Sequence, residues 1–319
     1  MTQASTRRAE PRYASAPDVD RYGEYRISRV PDDPRPLYRF TGRITAAAAD
    51  FDEAAGRFVA EPGRFHLYSG WFCPWAQRST LVIALAGLQD AVSVSYVDGV
   101  RDARGWAFRQ ANGPDPVNGF TLLREAYDAT EPNFDGHVSV PALWDRRLHR
   151  VVSNDYATLD ADLAAQFLAW SSTGVQLYPV DLRGEIDELE RWLLPTVNQG
   201  VRRAIGVGDD AENARAGVRA AFETLDRLLA DSRYLLGTRL TLADVRLFVT
   251  LARYDLQPKV VERIGLRLRD LPNLWAYARD LYQRAGFRST TRFSSVIPAN
   301  LPGIEIPDWD EPVSRAGVS

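Results

Sequence analysis

The feature that most constrains this chain is a lone cysteine placed where an apolar run gives way to a helical pattern. Phe65-His66-Leu67-Tyr68-Ser69 is followed by Gly70-Trp71-Phe72 and then by Cys73-Pro74-Trp75-Ala76-Gln77-Arg78. The first run has the length and residue types of a strand. Pro74 fits the first position of a helix, where no amide hydrogen is required, and Leu81, Leu85 and Leu88 then fall on one face. Val92 to Val97 alternates as a second strand. A strand, a helix and a strand, with the cysteine at the helix start, predict an α/β first half.

The polar stretch from Gly99 to Gly136 contains Gly113-Pro114 and Glu131-Pro132 and exceeds an ordinary crossover; it predicts an insertion that carries function or contacts a neighbour. Val138 to Trp144 reads as a strand interrupted by Pro141, Asp145 to Leu148 as a turn, and Arg150 to Val152 as the returning strand. Ser153-Asn154-Asp155 supplies an N-cap for the next helix. From Asp181 the period becomes helical. Ile186, Leu189, Trp192 and Leu193 form one stripe, Val218, Phe222, Leu225 and Leu229 a second, and Val245, Phe248 and Leu251 a third. Thr241-Leu242-Ala243-Asp244 has the spacing of a capping box, with Leu240 as a staple. Pro272 opens the last clear helix, and Pro298, Pro302, Pro307 and Pro312 mark an irregular tail. The predicted organisation is an N-terminal arm over 1–60 with a helical candidate at Ala46 to Phe58, an α/β half over 61–165 with the insertion 99–136, an all-α half over 166–297, and a tail over 298–319.

Composition removes several classes of function. With 39 Lys and Arg against 42 Asp and Glu, the net charge of -3 provides no field for a nucleic-acid backbone. One cysteine rules out an intramolecular disulfide, a Cys-based zinc site and an iron–sulfur centre held by several thiolates. His66, His137 and His149 are scattered, so neither a metal cluster nor a His-dependent triad is expected. No glycine loop has phosphate-cradling spacing. No apolar stretch approaches the roughly 18 residues of a membrane span, and a soluble cytoplasmic protein without a membrane partner is expected.

A helix start presents unpaired amides and the positive end of the helix dipole, both of which stabilise a thiolate and lower its pKa. Cys73 is therefore the catalytic candidate, against the competing reading of a buried structural cysteine. Trp75 stands where a second thiol would, so an oxidised Cys73 must be relieved by a thiol from solution. Val140-Pro141 is a candidate cis bond that would leave the Val140 amide and carbonyl free for a peptide-like thiol; an ordinary edge proline is the alternative. Asp155 could bind a ligand amine or cap its own helix. Trp106, in Gly105-Trp106-Ala107-Phe108, could be a stacking platform or local packing.

Cys73-Pro74-Trp75-Ala76-Gln77-Arg78, Gly105-Trp106-Ala107-Phe108, Val138 to Asp145, Ser153-Asn154-Asp155, Tyr234-Leu235-Leu236-Gly237, Leu240 to Phe248 and Leu271 to Trp275 occur in an order that resembles the Xi-class glutathione transferases, the glutathionyl-hydroquinone reductases. The resemblance spans residues 35 to 290. It implies a thioredoxin-like N-terminal domain, a helical glutathione-transferase C-terminal domain, and a homodimeric enzyme. The Cys73 thiolate would attack the sulfur of a glutathionyl-quinol and leave a mixed disulfide for a second thiol. Trp106, Val140, Pro141, Asp155 and Tyr156 match positions around glutathione; Trp75, Arg202 and Tyr254 are expected around the aromatic acceptor. The chain departs from the family at Gln77, where a histidine is usual, at Asp155-Tyr156 in place of Glu-Ser, and at Arg202 and Pro258 in place of tyrosines. No counterpart of a C-terminal tyrosine pair is found between Phe293 and Pro302. Two alternatives stay open: the same chemistry with another low-molecular-weight thiol such as mycothiol, and a non-catalytic binding or scaffold protein of this fold.

Overall fold

The computed structural model describes residues 10–27, 35–297 and 304–313. A short helix α1 (Val19–Tyr22) is capped by Asp18, whose carboxylate accepts the Arg21 amide at 2.8 Å. The helix expected at Ala46 to Phe58 is absent. That segment instead joins β1 (Arg43–Thr45) to β2 (Arg57–Val59), a parallel pair, through one 3-10 turn at Ala48–Asp50. A short helix persists only when one face is buried; here Phe51 is exposed, whereas Ile44 and Phe58 sit in the core. Asp52 further favours a turn by accepting the Ala55 amide.

The central sheet consists of β3 (Phe65–Ser69), β4 (Val92–Tyr96), β5 (Ala142–Asp145) and β6 (Arg150–Ser153) in the order β4-β3-β5-β6. β3 and β4 are parallel; β5 runs antiparallel to both β3 and β6. The helix α2 (Pro74–Leu85) connects the parallel strands. The long stretch 99–136 contains a helix, α3 (Arg124–Thr130), on the path from β4 to β5. The N-terminal arm covers the loop before it: the Ala14 amide donates to the Phe108 carbonyl at 3.0 Å, and Arg109 reaches the Ser15 carbonyl at 2.8 Å. Buried Asp115 organises the same loop by accepting the amides of Val117, Asn118 and Phe120. His66 is enclosed between Ser93 and Ser95 hydroxyls at 2.7 and 2.8 Å; burial, with Arg146 adding to it, lowers its pKa to about 3. It is a neutral core residue at pH 7.

Helix α4 (Leu159–Gln166) closes the sheet half, and α5 (Arg183–Leu193), α6 (Gly200–Arg203), α7 (Asp209–Asp231), α8 (Leu242–Tyr254), α9 (Pro258–Ile264), α10 (Pro272–Tyr282) and α11 (Ala285–Ser289) build the other. The stripe Val218, Phe222, Leu225 and Leu229 of α7 is buried as its spacing predicts. α8 is buried along its whole length, including the positions between the apolar ones. Its capping box forms, with the Asp244 carboxylate accepting from the Thr241 amide at 2.8 Å. Pro298 and Pro302 of the expected tail lie outside the described residues. Further on, Trp309 is only 3 % exposed and packs against Trp275, Tyr282 and Phe293.

α2 is the wall shared by the two halves. Leu81 enters the helical core while Val82 and Ile83 enter the sheet core. Two charge pairs, the first partly and the second fully buried, cross the seam: Arg78 to Glu190 at 2.6 Å, and Arg246 to Asp160 at 2.9 and 3.0 Å. Among the described residues no helix is long and apolar enough to cross a membrane.

Candidate active site

Cys73 is the N-cap residue of α2, with Pro74 in the first turn as its ring geometry favours. The Val140–Pro141 bond is cis, and the Cys73 thiol donates to the Val140 carbonyl at 3.5 Å. The cysteine of α2 and the backbone at the start of β5 are thus brought together from positions far apart in sequence. The expectation of a lowered thiol pKa is not met: burial pushes the Cys73 thiol up, and this outweighs the Ala76 amide, the Arg253 guanidinium and the Trp75 amide, which pull it down. The helix-start argument identified the amides correctly but omitted desolvation, which dominates for a side chain packed among Trp106, Val140 and Phe72.

A cleft of about 670 Å³ opens immediately beside the cysteine, lined by its neighbours Phe72, Pro74 and Trp75. Tyr38 and Tyr156 form the same aromatic wall: the Trp75 and Tyr156 rings lie 4.7 Å apart, and Tyr38 meets Tyr156 edge-on at 5.3 Å. The opposite wall comes from the helical half, with Asn198, Arg202 and Arg203 around α6 and Val249, Thr250, Arg253 and Gln257 along and beyond α8. Tyr38 has its hydroxyl pKa raised to about 12 by burial first, then by Tyr156 and Cys73. It remains protonated at pH 7, a hydroxyl donor in the cleft wall.

Of the predicted acceptor residues, Trp75 and Arg202 line this cleft and Tyr254 does not. Tyr254 is fully buried, packs on Phe222 and donates to the Leu266 carbonyl at 2.9 Å. Arg253, one residue earlier and so about 100° around the helix, occupies the place expected for it. Among the predicted cosubstrate residues only Tyr156 reaches the cleft; Trp106, Val140, Pro141 and Asp155 lie off its walls. Phe72 stacks on the Trp106 ring at 4.2 Å, and the Arg101 guanidinium lies 4.1 Å from the ring centre. Asp155 follows the local alternative, accepting the Ala157 amide at 3.1 Å and the Thr158 hydroxyl at 2.8 Å. It caps a turn rather than the helix itself, since α4 begins only at Leu159.

Sequence reasoning missed Tyr38 and Arg253. Arg253 is 7 % exposed and donates to the Val249 carbonyl at 3.0 Å, the Trp71 carbonyl at 3.2 Å and the Gln77 side-chain oxygen. Gln77 in turn donates to the Thr290 carbonyl and the Thr291 hydroxyl. No carboxylate joins this group among the described residues, so Arg253 is a buried cation whose charge acts on Cys73. Its own pKa is lowered to about 10 by burial, with Cys73 opposing.

A thioredoxin-like sheet with a cysteine at the start of its first helix, facing a cis proline and joined to a helical half, defines a glutathione transferase. Residues 208–280 match the glutathione S-transferase C-terminal domain family. The chain is 36% identical over 272 residues to glutathionyl-hydroquinone reductase YqjG of Escherichia coli, covering 82% of each protein. The glutathione-bound structure of YqjG superimposes with a TM-score of 0.74, covering 81% of this chain and 85% of that one at 34% identity. A Xi-class transferase from Natrialba magadii superimposes with a TM-score of 0.79 at 31% identity, covering 86% and 88%. The chain belongs to the glutathionyl-hydroquinone reductase family, the Xi class of glutathione transferases.

Proposed function

We propose that this enzyme is a cysteine-dependent reductase of glutathionyl-aromatic conjugates, quinols among them, and that Cys73 is its nucleophile. The observation that carries the reading is the Cys73 thiol, 3.5 Å from the carbonyl that precedes a cis proline and flanked by residues that line an aromatic cleft. The Cys73 thiolate attacks the glutathionyl sulfur. A sulfur–sulfur bond forms, and the sulfur–carbon bond breaks with its electron pair passing to the ring carbon, which takes a proton. The aromatic leaves reduced. A second glutathione attacks the mixed disulfide, releasing glutathione disulfide and restoring Cys73.

The cosubstrate then lies on the sheet side, where the Val140 backbone can pair with its cysteinyl unit once the thiol gives up the carbonyl. Trp106, Pro141 and Asp155 stand on that side as supporting positions, while the aromatic portion enters between Trp75, Tyr156 and the α6 wall. Glutathione is the preferred thiol because a relative's structure is described as glutathione-bound. The buried position of Cys73 favours one other reading, a binding protein without thiol chemistry. Mass spectrometry after incubation with glutathione disulfide decides between them. One glutathionyl group is expected on Cys73 and none on Cys73→Ser; an adduct only with mycothiol disulfide would change the thiol, and no adduct with either would remove the enzymatic reading.

A further inference from the structure

We infer that the aromatic group accepted beside Cys73 itself carries a carboxylate, and that Arg202 pairs with it; the inference rests on the conjugate-reductase reading above. The cleft is lined by Arg202, Arg203 and Arg253, and none of its lining residues among those described is acidic. This is not a reflection of a basic chain, since the net charge is -3. Elsewhere the buried arginines are matched by carboxylates: Arg64 with Asp145, Arg78 with Glu190, and Arg246 with Asp160. Within the cleft the matching is incomplete. Arg203 has Asp210 at 3.6 Å and donates to the Pro195 carbonyl at 2.8 Å. Arg253 is buried with neutral partners only, and its Nε has none. Arg202 is exposed at the mouth of the cleft and, unlike Arg203, makes no ion pair with any described residue.

A guanidinium fork matches a carboxylate through two parallel hydrogen bonds, and the match strengthens beside a wall that excludes water. Trp75, Tyr156, Tyr38 and Phe72 are that wall. A neutral ring would fill the aromatic side and leave the cationic side unanswered; an aromatic acid satisfies both. The tripeptide's own carboxylates are the competing anions. They belong to the part of the conjugate laid along Val140, whereas Arg202 comes from α6 in the helical half.

The test compares S-phenylglutathione with S-(4-carboxyphenyl)glutathione, two thioethers whose rings lack the hydroxyl groups that let a quinol take up the electron pair and which therefore bind without being cleaved, by isothermal titration calorimetry on the full chain. The acid is expected to bind roughly tenfold more tightly, a difference of about 1.4 kcal/mol, with the advantage shrinking at high salt. Arg202→Gln should reduce the ratio to less than about twofold by weakening the acid far more than S-phenylglutathione, and Arg202→Lys should restore part of it. Equal binding of the two thioethers by the unaltered protein overturns the inference. Equal weakening of both by Arg202→Gln also overturns it, by placing Arg202 on the tripeptide. If neither thioether binds although glutathione disulfide still modifies Cys73, only this inference fails; if that adduct is absent too, the conjugate-reductase reading fails with it.

Discussion

At the scale of single residues, the decisive balance is between what hides Cys73 and what would charge it. Desolvation raises the thiol while the amides of α2 and the Arg253 cation oppose it. A raised pKa means that less thiolate is present at pH 7, so alkylation by iodoacetamide should accelerate with pH to a midpoint above 9, the ordinary thiol value. Arg253→Met removes a cation that favours the charged form, so its midpoint should lie higher still. Gln77→Ala, which frees the guanidinium from one anchor, should move the midpoint less. A downward shift in Arg253→Met would show that the cation does not act on the thiol. The Cys73-Pro74 and Val140-Pro141 dipeptides were legible because each advertises itself locally, one by helix-start chemistry and the other by the restricted imide bond. Arg253 and Tyr38 were not. Their neighbours reach the cleft from another helix and from the N-terminal arm, so no spacing within either segment reveals them.

At the scale of elements, periodicity found the whole buried face where a helix has one wet face and only part of the buried surface where it has none. α7 shows its stripe because the remainder of the helix is solvated. α8 is enclosed throughout, and its polar residues are placed by partners: Arg246 by Asp160, and Thr250 by Asn198. The cleft face of α8 and its extension, Val249, Thr250, Arg253 and Gln257, follows spacings of one, three and four residues. That is a helical face of mixed polarity, invisible to an apolar count. The capping box was legible because its chemistry is local. Asp244 goes further, also accepting the Leu235 amide at 2.9 Å and the Tyr277 hydroxyl at 2.8 Å. Thr241→Ala should therefore cost about 1 kcal/mol. Asp244→Ala should cost more, roughly 2 to 4 kcal/mol, because it strands several buried donors at once. Urea denaturation would rank the two, and equal losses would limit the role of Asp244 to the cap. The segment Ala46 to Phe58 shows the opposite failure: alanines promised a helix, but tertiary packing takes only Ile44 and Phe58 and leaves the middle as a turn.

At the scale of the whole molecule, the cleft exists because two halves meet along α2, and the seam is held by charge as well as by apolar contact. Arg246 and Asp160 are both buried and exchange two hydrogen bonds. Removing one partner leaves an uncompensated charge, so Arg246→Met or Asp160→Asn should each destabilise by about 3 to 5 kcal/mol. The double variant should recover part of that loss. Thermal and urea unfolding of all four proteins checks this; strictly additive losses would mean that the residues act separately.

The distal segment holds a different kind of leverage. Trp309 is wedged against Phe293, and Ser295 and Val296, just beyond Phe293, line the cleft. The segment around Trp309 is therefore a shim behind one lip of the reaction chamber. Trimming it, or fusing a tag that dislodges the indole, would reset the width of the entrance while leaving every lining residue unchanged, so selectivity in such an enzyme could drift through edits far from its chemistry.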